Sequence, residues 1–365
     1  MSKKNRKWLV FTIMCLAYMP GSYAQYQLSV FAPELMQSFG LTTSQFSSLF
    51  TAPMIVAIFL SFVGGMISDK IGSKKVINIS FVIAGIGMIG RVFANSYMPF
   101  FLCMALTGFS NMFVNINASK ITASWFEQEK LGILMGIFAF CGQLPGAFAT
   151  ATTAVLFDSR TSAFIVSAIF CISVFVLWLL FVKDKPEDTM EEREKIDQEN
   201  QPSIGDSLKV VLSNKGIWLV SICIMMALGS TVTLSTFMPI ALQTMYGIDL
   251  KVCGTIASML TLGNCIGSIT GPIVFSKIKN VKVFVSGAAV LSFAGIIMCW
   301  RFPSIFVLHI LVLYTGIMLG ASMPIFLSAP VLLEGLGTKY AGSAAGVIST
   351  LQLLGAVLIP TYILT

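Results

Sequence analysis

Charge is what this sequence has least of. Lys, Arg, Asp and Glu make up 11% of its 365 residues, against 56% hydrophobic residues, and there is a single histidine, His309. Ordinary soluble domains carry about 25% charged residues, so this share, with a mean hydropathy of +0.86, excludes a water-soluble globular fold. The eight cysteines (15, 103, 141, 171, 223, 253, 265 and 299) form no C-x-x-C pair and have no histidines beside them, which excludes a zinc site or a disulfide frame. They read as small apolar packing residues. No nucleophile, base and metal-ligand constellation is present, so the chain is not read as an enzyme, and neither a cofactor nor a metal is implied.

What is there is a series of apolar runs. Crossing the hydrocarbon core takes at least about 18 apolar residues, and such runs lie near 8–31, 45–68, 76–95, 97–119, 131–157, 162–182, 215–243, 252–276, 281–300, 303–328 and 342–364. This is an all-α polytopic membrane protein with eleven spans. With the N-terminus inside, all of the 23 Lys and Arg except Arg91, Arg160, Lys251 and Arg301 fall on the cytoplasmic side. A cytoplasmic N-terminus and a multi-pass position in the cell membrane follow. The net charge of +7 is thereby accounted for without a nucleic-acid partner. Lys3 to Ala24 also has the outline of a cleaved leader, but the apolar helix continues past Ala24, and losing it would undo the charge asymmetry.

Acidic residues are absent from mid-membrane. Glu34, Asp158 and Asp249 sit at outer edges, Asp69, Glu127, Glu129 and Glu334 at inner edges, and the other acids fall in one segment after the sixth span. A buried carboxylate proton relay is thereby disfavoured. Arg91, close to the outer end of the third span, is expected to snorkel to head groups, and His309 to be a satisfied structural histidine.

The polar segment 183–214 divides the chain into a bundle at 1–182 and a second at 215–365. Near its end, Leu208, Val211 and Leu212 with Lys209 and Lys215 outline a short amphipathic helix. The two parts repeat. Ser29 to Pro33 matches Ser235 to Pro239, and Gly65 matches Gly271, both 206 residues apart; Gly132 and Gly136 match Gly342 and Gly346, 210 apart. Matches in order on corresponding spans indicate two parallel six-helix repeats. By the same offset the sixth span has its partner beyond Thr365, so the last helix of the second repeat is expected to be missing from this chain, by truncation of a longer protein.

Between the second and third spans stands Gly65-x-x-x-Asp69-Lys70-x-Gly72-x-Lys74-Lys75. Asp69 at a cytoplasmic helix end suits pairing with Lys or Arg and with the N-terminal dipole of a neighbouring helix. Gly72 permits a tight turn, and the lysines hold the loop in the cytosol. At every one of these named positions the chain resembles the major facilitator superfamily, whose members carry such a loop there. The resemblance implies that Gly65, Asp69, Lys70, Gly72, Lys74 and Lys75 act as a conformational latch during rocker-switch alternating access. Tyr23 to Pro33, Phe50-Thr51-Ala52-Pro53, Trp125-Phe126 and Gly132-x-x-x-Gly136 look like the anion-transporting branches, the oxalate/formate, nitrate/nitrite and cyanate carriers among them. Many organic-anion carriers have arginine where this chain has Gln25, and its eighth and eleventh spans hold no cation.

Substrate recognition is therefore expected from neutral donors. In this fold the first, fourth, seventh and tenth helices line the cavity. Tyr18, Tyr23, Gln25 and Tyr26 cluster on the first helix beside the Pro20-Gly21 break, Asn111 and Asn115 share a face of the fourth, and Gln143 and Asn264 stand on the fifth and eighth. Hydrogen bonding between helices is the other use for such amides. The function read from these residues is a secondary transporter, acting as a monomer, for a small organic solute, a carboxylate or related anion first. Coupling is by exchange or uniport, or by a proton or sodium ion using a peripheral acid. Two other readings fit the same chain: a drug/proton efflux antiporter, although Met104 and Gln143 stand where that branch has arginine and proline, and a substrate-sensing receptor that no longer transports.

Overall fold

The computed structural model describes residues 3–182, 204–301 and 304–363, and every regular element among them is an α-helix. In chain order these are α1 (Lys3–Ala17), α2 (Met19–Val30), α3 (Ala32–Phe39), α4 (Thr43–Ile71), α5 (Ser73–Phe93), α6 (Tyr97–Trp125), α7 (Gln128–Leu156), α8 (Arg160–Phe181), α9 (Ile204–Ser213), α10 (Lys215–Tyr246), α11 (Leu250–Ile278), α12 (Val281–Arg301), α13 (Ile305–Leu332) and α14 (Ala341–Ile363). Among the described residues nine helices are long and apolar enough to cross a membrane. The expected first span is divided between α1 and α2, and the expected fifth corresponds to α7. The acidic part of the connector lies outside the described residues. Its end forms α9, which buries Ser207 and Val211 one turn apart and exposes Lys209.

Local chemistry explains the breaks. Pro20 in the first turn of α2 has no N–H to give to the preceding turn, and the Tyr18 N–H bonds the Cys15 carbonyl three residues back, at 3.3 Å, so the helical ladder parts at Tyr18. α4 opens with a capping box in which Gln45 N–H bonds Thr42 Oγ1 and the Gln45 side chain returns to Thr42 N–H. It closes at Gly72, whose φ of 92° and ψ of 146° belong to glycine, and α5 starts at the next residue.

The chain forms two compact units. The first comprises Met1–Glu127, Cys141–Asn214 and Pro330–Thr350, the second Gln128–Phe140, Lys215–Ala329 and Leu351–Thr365. The first unit packs Leu28, Leu35, Leu49, Phe100, Met104 and Phe164 into a buried cluster. In the second, Met238, Leu242, Ile256, Leu260, Leu308 and Val312 do the same.

Helices in lipid gain little from burying apolar surface, so close backbone approach at small residues carries much of their association. Each unit contains such a seam. In the first, Gly342 and Gly346 of α14 lie on α4, where a Cβ at Gly346 would stand 2.5 Å from the Ser61 carbonyl and 2.9 Å from Phe62 Cα, and one at Gly65 would collide with the Gly342 carbonyl. In the second, Gly132 and Gly136 of α7 lie on α11, where a Cβ at Gly136 would collide with the Ser268 carbonyl and stand 3.3 Å from Pro272 Cγ. The two seams correspond to within one residue, since the carbonyls met, Ser61 and Ser268, are 207 residues apart and Gly136 and Gly346 are 210 apart.

Candidate functional site

Within the first unit, the side chains expected to cluster on helix one diverge around it. Successive residues turn by about 100°, so Tyr18, Ser22 and Tyr26 form one stripe while Tyr23 and Gln25 leave it. The Tyr18 ring lies against Gly142 of α7, where a Cβ would stand 2.9 Å from its Cδ1, and the Tyr26 ring against Gly146, where one would stand 2.9 Å from its Cε2. Two glycines one turn apart thus make notches for two tyrosines. Tyr26 also meets Phe50 edge-on at 5.6 Å and stays 37% exposed.

Asn111 of α6 is built into the helix-one break. Oriented by its hydrogen bonds, its amide donates to the Tyr18 carbonyl at 3.0 Å and accepts from Ser22 N at 3.0 Å and from Ser22 Oγ at 2.7 Å. Tyr18 C=O and Ser22 N–H are the i, i+4 pair at the head of α2, so the amide braces the first turn after the break. Gly21 permits the approach, as a Cβ there would come within 2.7 Å of Asn111 Cγ.

The other expected residues are held apart from this stripe. Gln25 is buried and donates to the Phe50 carbonyl of α4 at 2.8 Å, in the turn before Pro53. Tyr23 is buried with its ring near Phe148 and Phe170, at 6.5 and 6.2 Å. Asn115 is half-buried and donates to Ser349 Oγ at 3.4 Å, whereas Gln143 is exposed beside the Gly142 notch. Asn264 stands in the second unit, buried, with its amide on the Leu260 carbonyl one turn back, at 3.1 Å.

The loop after α4 makes a different kind of contact. Tyr340, whose carbonyl accepts the first helical bond of α14, has no side-chain acceptor suited to capping the first-turn N–H groups. Asp69 supplies the cap from α4: Oδ1 accepts from Gly342 N at 2.9 Å, and Oδ2 from Ser343 N and Ser343 Oγ, each at 2.7 Å. Lys120 Nζ of α6 adds an ion pair to Oδ1 at 2.8 Å, and the Asp69 side chain is wholly shielded from solvent. Four donors therefore converge on one carboxylate at a positive helix end. Lys70 and Lys75 are exposed, and Lys74 Nζ reaches the Leu179 carbonyl at 3.4 Å. The sequence reading named Asp69 but not Lys120 or Ser343, and it passed over Asn117, buried in α6 and bonded to Ser68 and to the Phe113 carbonyl.

Arg91 corrects an expectation. It does not snorkel: it is 1% exposed inside the first unit, where Nη1 donates to the Ala24 carbonyl at 2.9 Å and Nη2 to Gln27 Oε1 at 3.0 Å and to Ser167 Oγ. The α5 turn that carries it points its side chain into the bundle, where these acceptors outbid the head groups. His309 has both ring nitrogens partnered, Nδ1 donating to the Ile305 carbonyl at 2.8 Å and Nε2 facing Thr255 Oγ1 at 3.1 Å.

Comparison with known proteins places this architecture. The family profile described as Major Facilitator Superfamily matches residues 10–360. The probable sulfoacetate transporter of Cupriavidus necator is 24% identical over 94% of this chain and 83% of its own length. The galacturonate transporter of Dickeya chrysanthemi is 22% identical over 81% of this chain and 90% of its own. Among solved structures, the human organic anion transporter MFSD10 superposes with a TM-score of 0.77 at 15% identity, covering 97% of this chain and 92% of that one. The chain belongs to the major facilitator superfamily: it has the fold of these transporters, spans the membrane many times and is not an enzyme.

Proposed function

We propose that this chain is a secondary transporter that carries a small organic anion, a carboxylate or sulfonate, across the cell membrane by alternating access, with its N-terminus in the cytoplasm. The observation that carries the mechanism is the Asp69 contact. A shielded carboxylate capping α14 through three hydrogen bonds and pairing with Lys120 is strong while intact, yet every bond in it is polar and is replaced by water once the helices part. A contact of that kind suits one end state of a two-state cycle.

The substrate class draws on the relatives, one named a probable sulfoacetate transporter and another a galacturonate transporter. Tyr26, Gln143 and Asn115 are the expected residues left accessible enough to meet a solute, with hydroxyl and amide donors for an anion's oxygens. Tyr23, Gln25 and Asn111 shape helix one around them; Asn264, in the second unit, bonds the Leu260 carbonyl of its own helix. Exchange or uniport fits the lack of acidic side chains inside the spans. The test is counterflow in proteoliposomes with radiolabelled sulfoacetate and galacturonate, and with galactose as the uncharged comparison. Uptake of an anion competed by its unlabelled form supports the reading. Flux of galactose alone, or of none of the three, overturns the anion assignment.

A further inference from the structure

Arg91 is a charge that the transport reading does not use. A cation taken wholly out of water costs several kcal/mol unless its surroundings compensate it. Here the compensation comes from neutral groups only: the Ala24 carbonyl, Gln27 Oε1, Ser167 Oγ, Met104 Sδ at 4.0 Å and the Phe164 ring, 4.4 Å from Cζ to centroid. No carboxylate is among its partners in the described residues, and its Nε has no acceptor. An apolar side chain of similar length would fill the same space without that cost.

The partners show what the guanidinium grips. Two of them, Ala24 and Gln27, belong to α2, and Gln27 passes the connection on by donating to the Ala163 carbonyl of α8 at 3.0 Å. α2 is only 12 residues long and is cut from its neighbours at Tyr18 and Phe31. A helix of that length is marginal by itself, and without a continuous ladder to α1 its rotation about its own axis is set by side contacts. Ala24 and Gln27 lie on one face. Tyr26, two residues or about 200° beyond Ala24, lies on the opposite face, with its ring in the Gly146 notch. The planar fork holds two acceptors on α2 through separate NH2 groups fixed in one plane, whereas the three donors of an ammonium turn freely on a flexible stem.

We propose that Arg91 is a positioning residue: its fork fixes the rotation of α2 from behind and thereby sets Tyr26 and Gln25 in the orientation in which they meet or shape the substrate site. The transport arm of the test rests on the function proposed above; the exchange arm does not. Hydrogen–deuterium exchange would be followed by mass spectrometry on the purified full chain as wild type, Arg91→Lys, Arg91→Gln and the milder Ser167→Ala. Both Arg91 variants should exchange residues 19–30 about tenfold faster or more while leaving α6 unchanged, with Ser167→Ala shifted the same way by roughly threefold. In proteoliposomes KM for sulfoacetate or galacturonate should rise about tenfold with kcat kept within about threefold.

Unchanged exchange over 19–30 in Arg91→Gln overturns the proposal. So does exchange that quickens evenly through the whole unit, which marks a general loss of stability, and so does Arg91→Lys behaving as wild type, which would make charge alone sufficient. If Arg91→Gln does not fold, Arg91→Lys and Ser167→Ala decide the matter. If the wild type carries neither anion, the transport reading fails and the exchange data still rule on Arg91.

Discussion

Replacing Asp69 by asparagine separates contact from catalysis of transport. Asparagine keeps the shape but has one acceptor oxygen. With that oxygen on Gly342 N–H, its NH2 group turns toward Ser343 N–H, donor against donor, and Lys120, whose side chain is 19% exposed, loses its counter-charge. Hydrogen bonds to a charged group are worth about 1.5–3 kcal/mol against 0.5–1.5 for neutral ones, so losing one outright and weakening the others amounts to on the order of 3 kcal/mol. That is about a hundredfold in the population of the capped state. Maximal flux in proteoliposomes should fall between about tenfold and a hundredfold, while equilibrium affinity stays within a few-fold. Gly342→Ala tests the same contact without altering charge, because its Cβ would sit 2.6 Å from Asp69 Oδ1 and 2.8 Å from the Gly65 carbonyl. It should reproduce the defect. A large loss of affinity at unchanged maximal flux, or a Gly342→Ala protein with normal flux, would refute the latch reasoning.

Three further perturbations follow from the geometry. Asn111→Leu removes the amide that braces Tyr18 and Ser22 at the head of α2, so the protein should lose about 2 kcal/mol; a thermal-unfolding midpoint equal to wild type would show that the amide adds nothing to the break. Cysteines placed singly at 23, 25 and 26 should differ toward a water-soluble thiol reagent, position 26 reacting and 23 and 25 remaining inert, as their burial dictates; equal reactivity at all three contradicts the placement of α2. Gly136→Ala drives a methyl into the Ser268 carbonyl and toward Pro272, and backbone cannot yield as a flexible side chain does, so it should destabilise by about 1–3 kcal/mol, with a thermal shift in purified protein as the readout.

The fold was legible because lipid imposes few solutions. Apolar runs of the necessary length, a basic-residue asymmetry and glycines recurring at constant offset leave little besides paired helical repeats. The spacing around Asp69 marked a helix end that wants donors, but a sequence alone cannot tell which distant helix lacks its own cap. Tyr340 at the head of α14 was the available signal, since tyrosine is a poor cap where serine or aspartate is usual. Arg91 was misread for a related reason. Distance to the span's end allows a long side chain to reach water, yet direction depends on the face of α5 it leaves from, and the paired acceptors, the Ala24 carbonyl and Gln27, come from another helix. Helix one was grouped by proximity in sequence, whereas at about 100° per residue Gln25 stands about 160° from Tyr23 and about 100° from Tyr26, and the Tyr23 and Tyr26 rings meet different neighbours, Phe148 and Phe170 for one and Phe50 and Gly146 for the other.

The two glycine seams differ at the position that Asp69 occupies. Gly342 and Gly346 against α4, and Gly132 and Gly136 against α11, are equivalent by the repeat, and both bring backbones into contact. The residue 206 beyond Asp69 is Phe275, and its ring packs on Phe284 at 5.5 Å rather than capping a helix. So the α4 seam adds a charge-assisted cap to its close packing, while at the α11 seam Pro272 packs near Gly136 and position 275 offers a ring in place of a carboxylate. Polar contacts and close packing respond differently to water: the first are exchanged for hydration at modest net cost, the second are lost without replacement. A transporter must pass through a state in which a seam is wet. A carboxylate cap makes the α4 seam strong when dry and replaceable when wet, so a small residue enlarged at Gly136 and a charge removed at Asp69 disturb equivalent places by different physics.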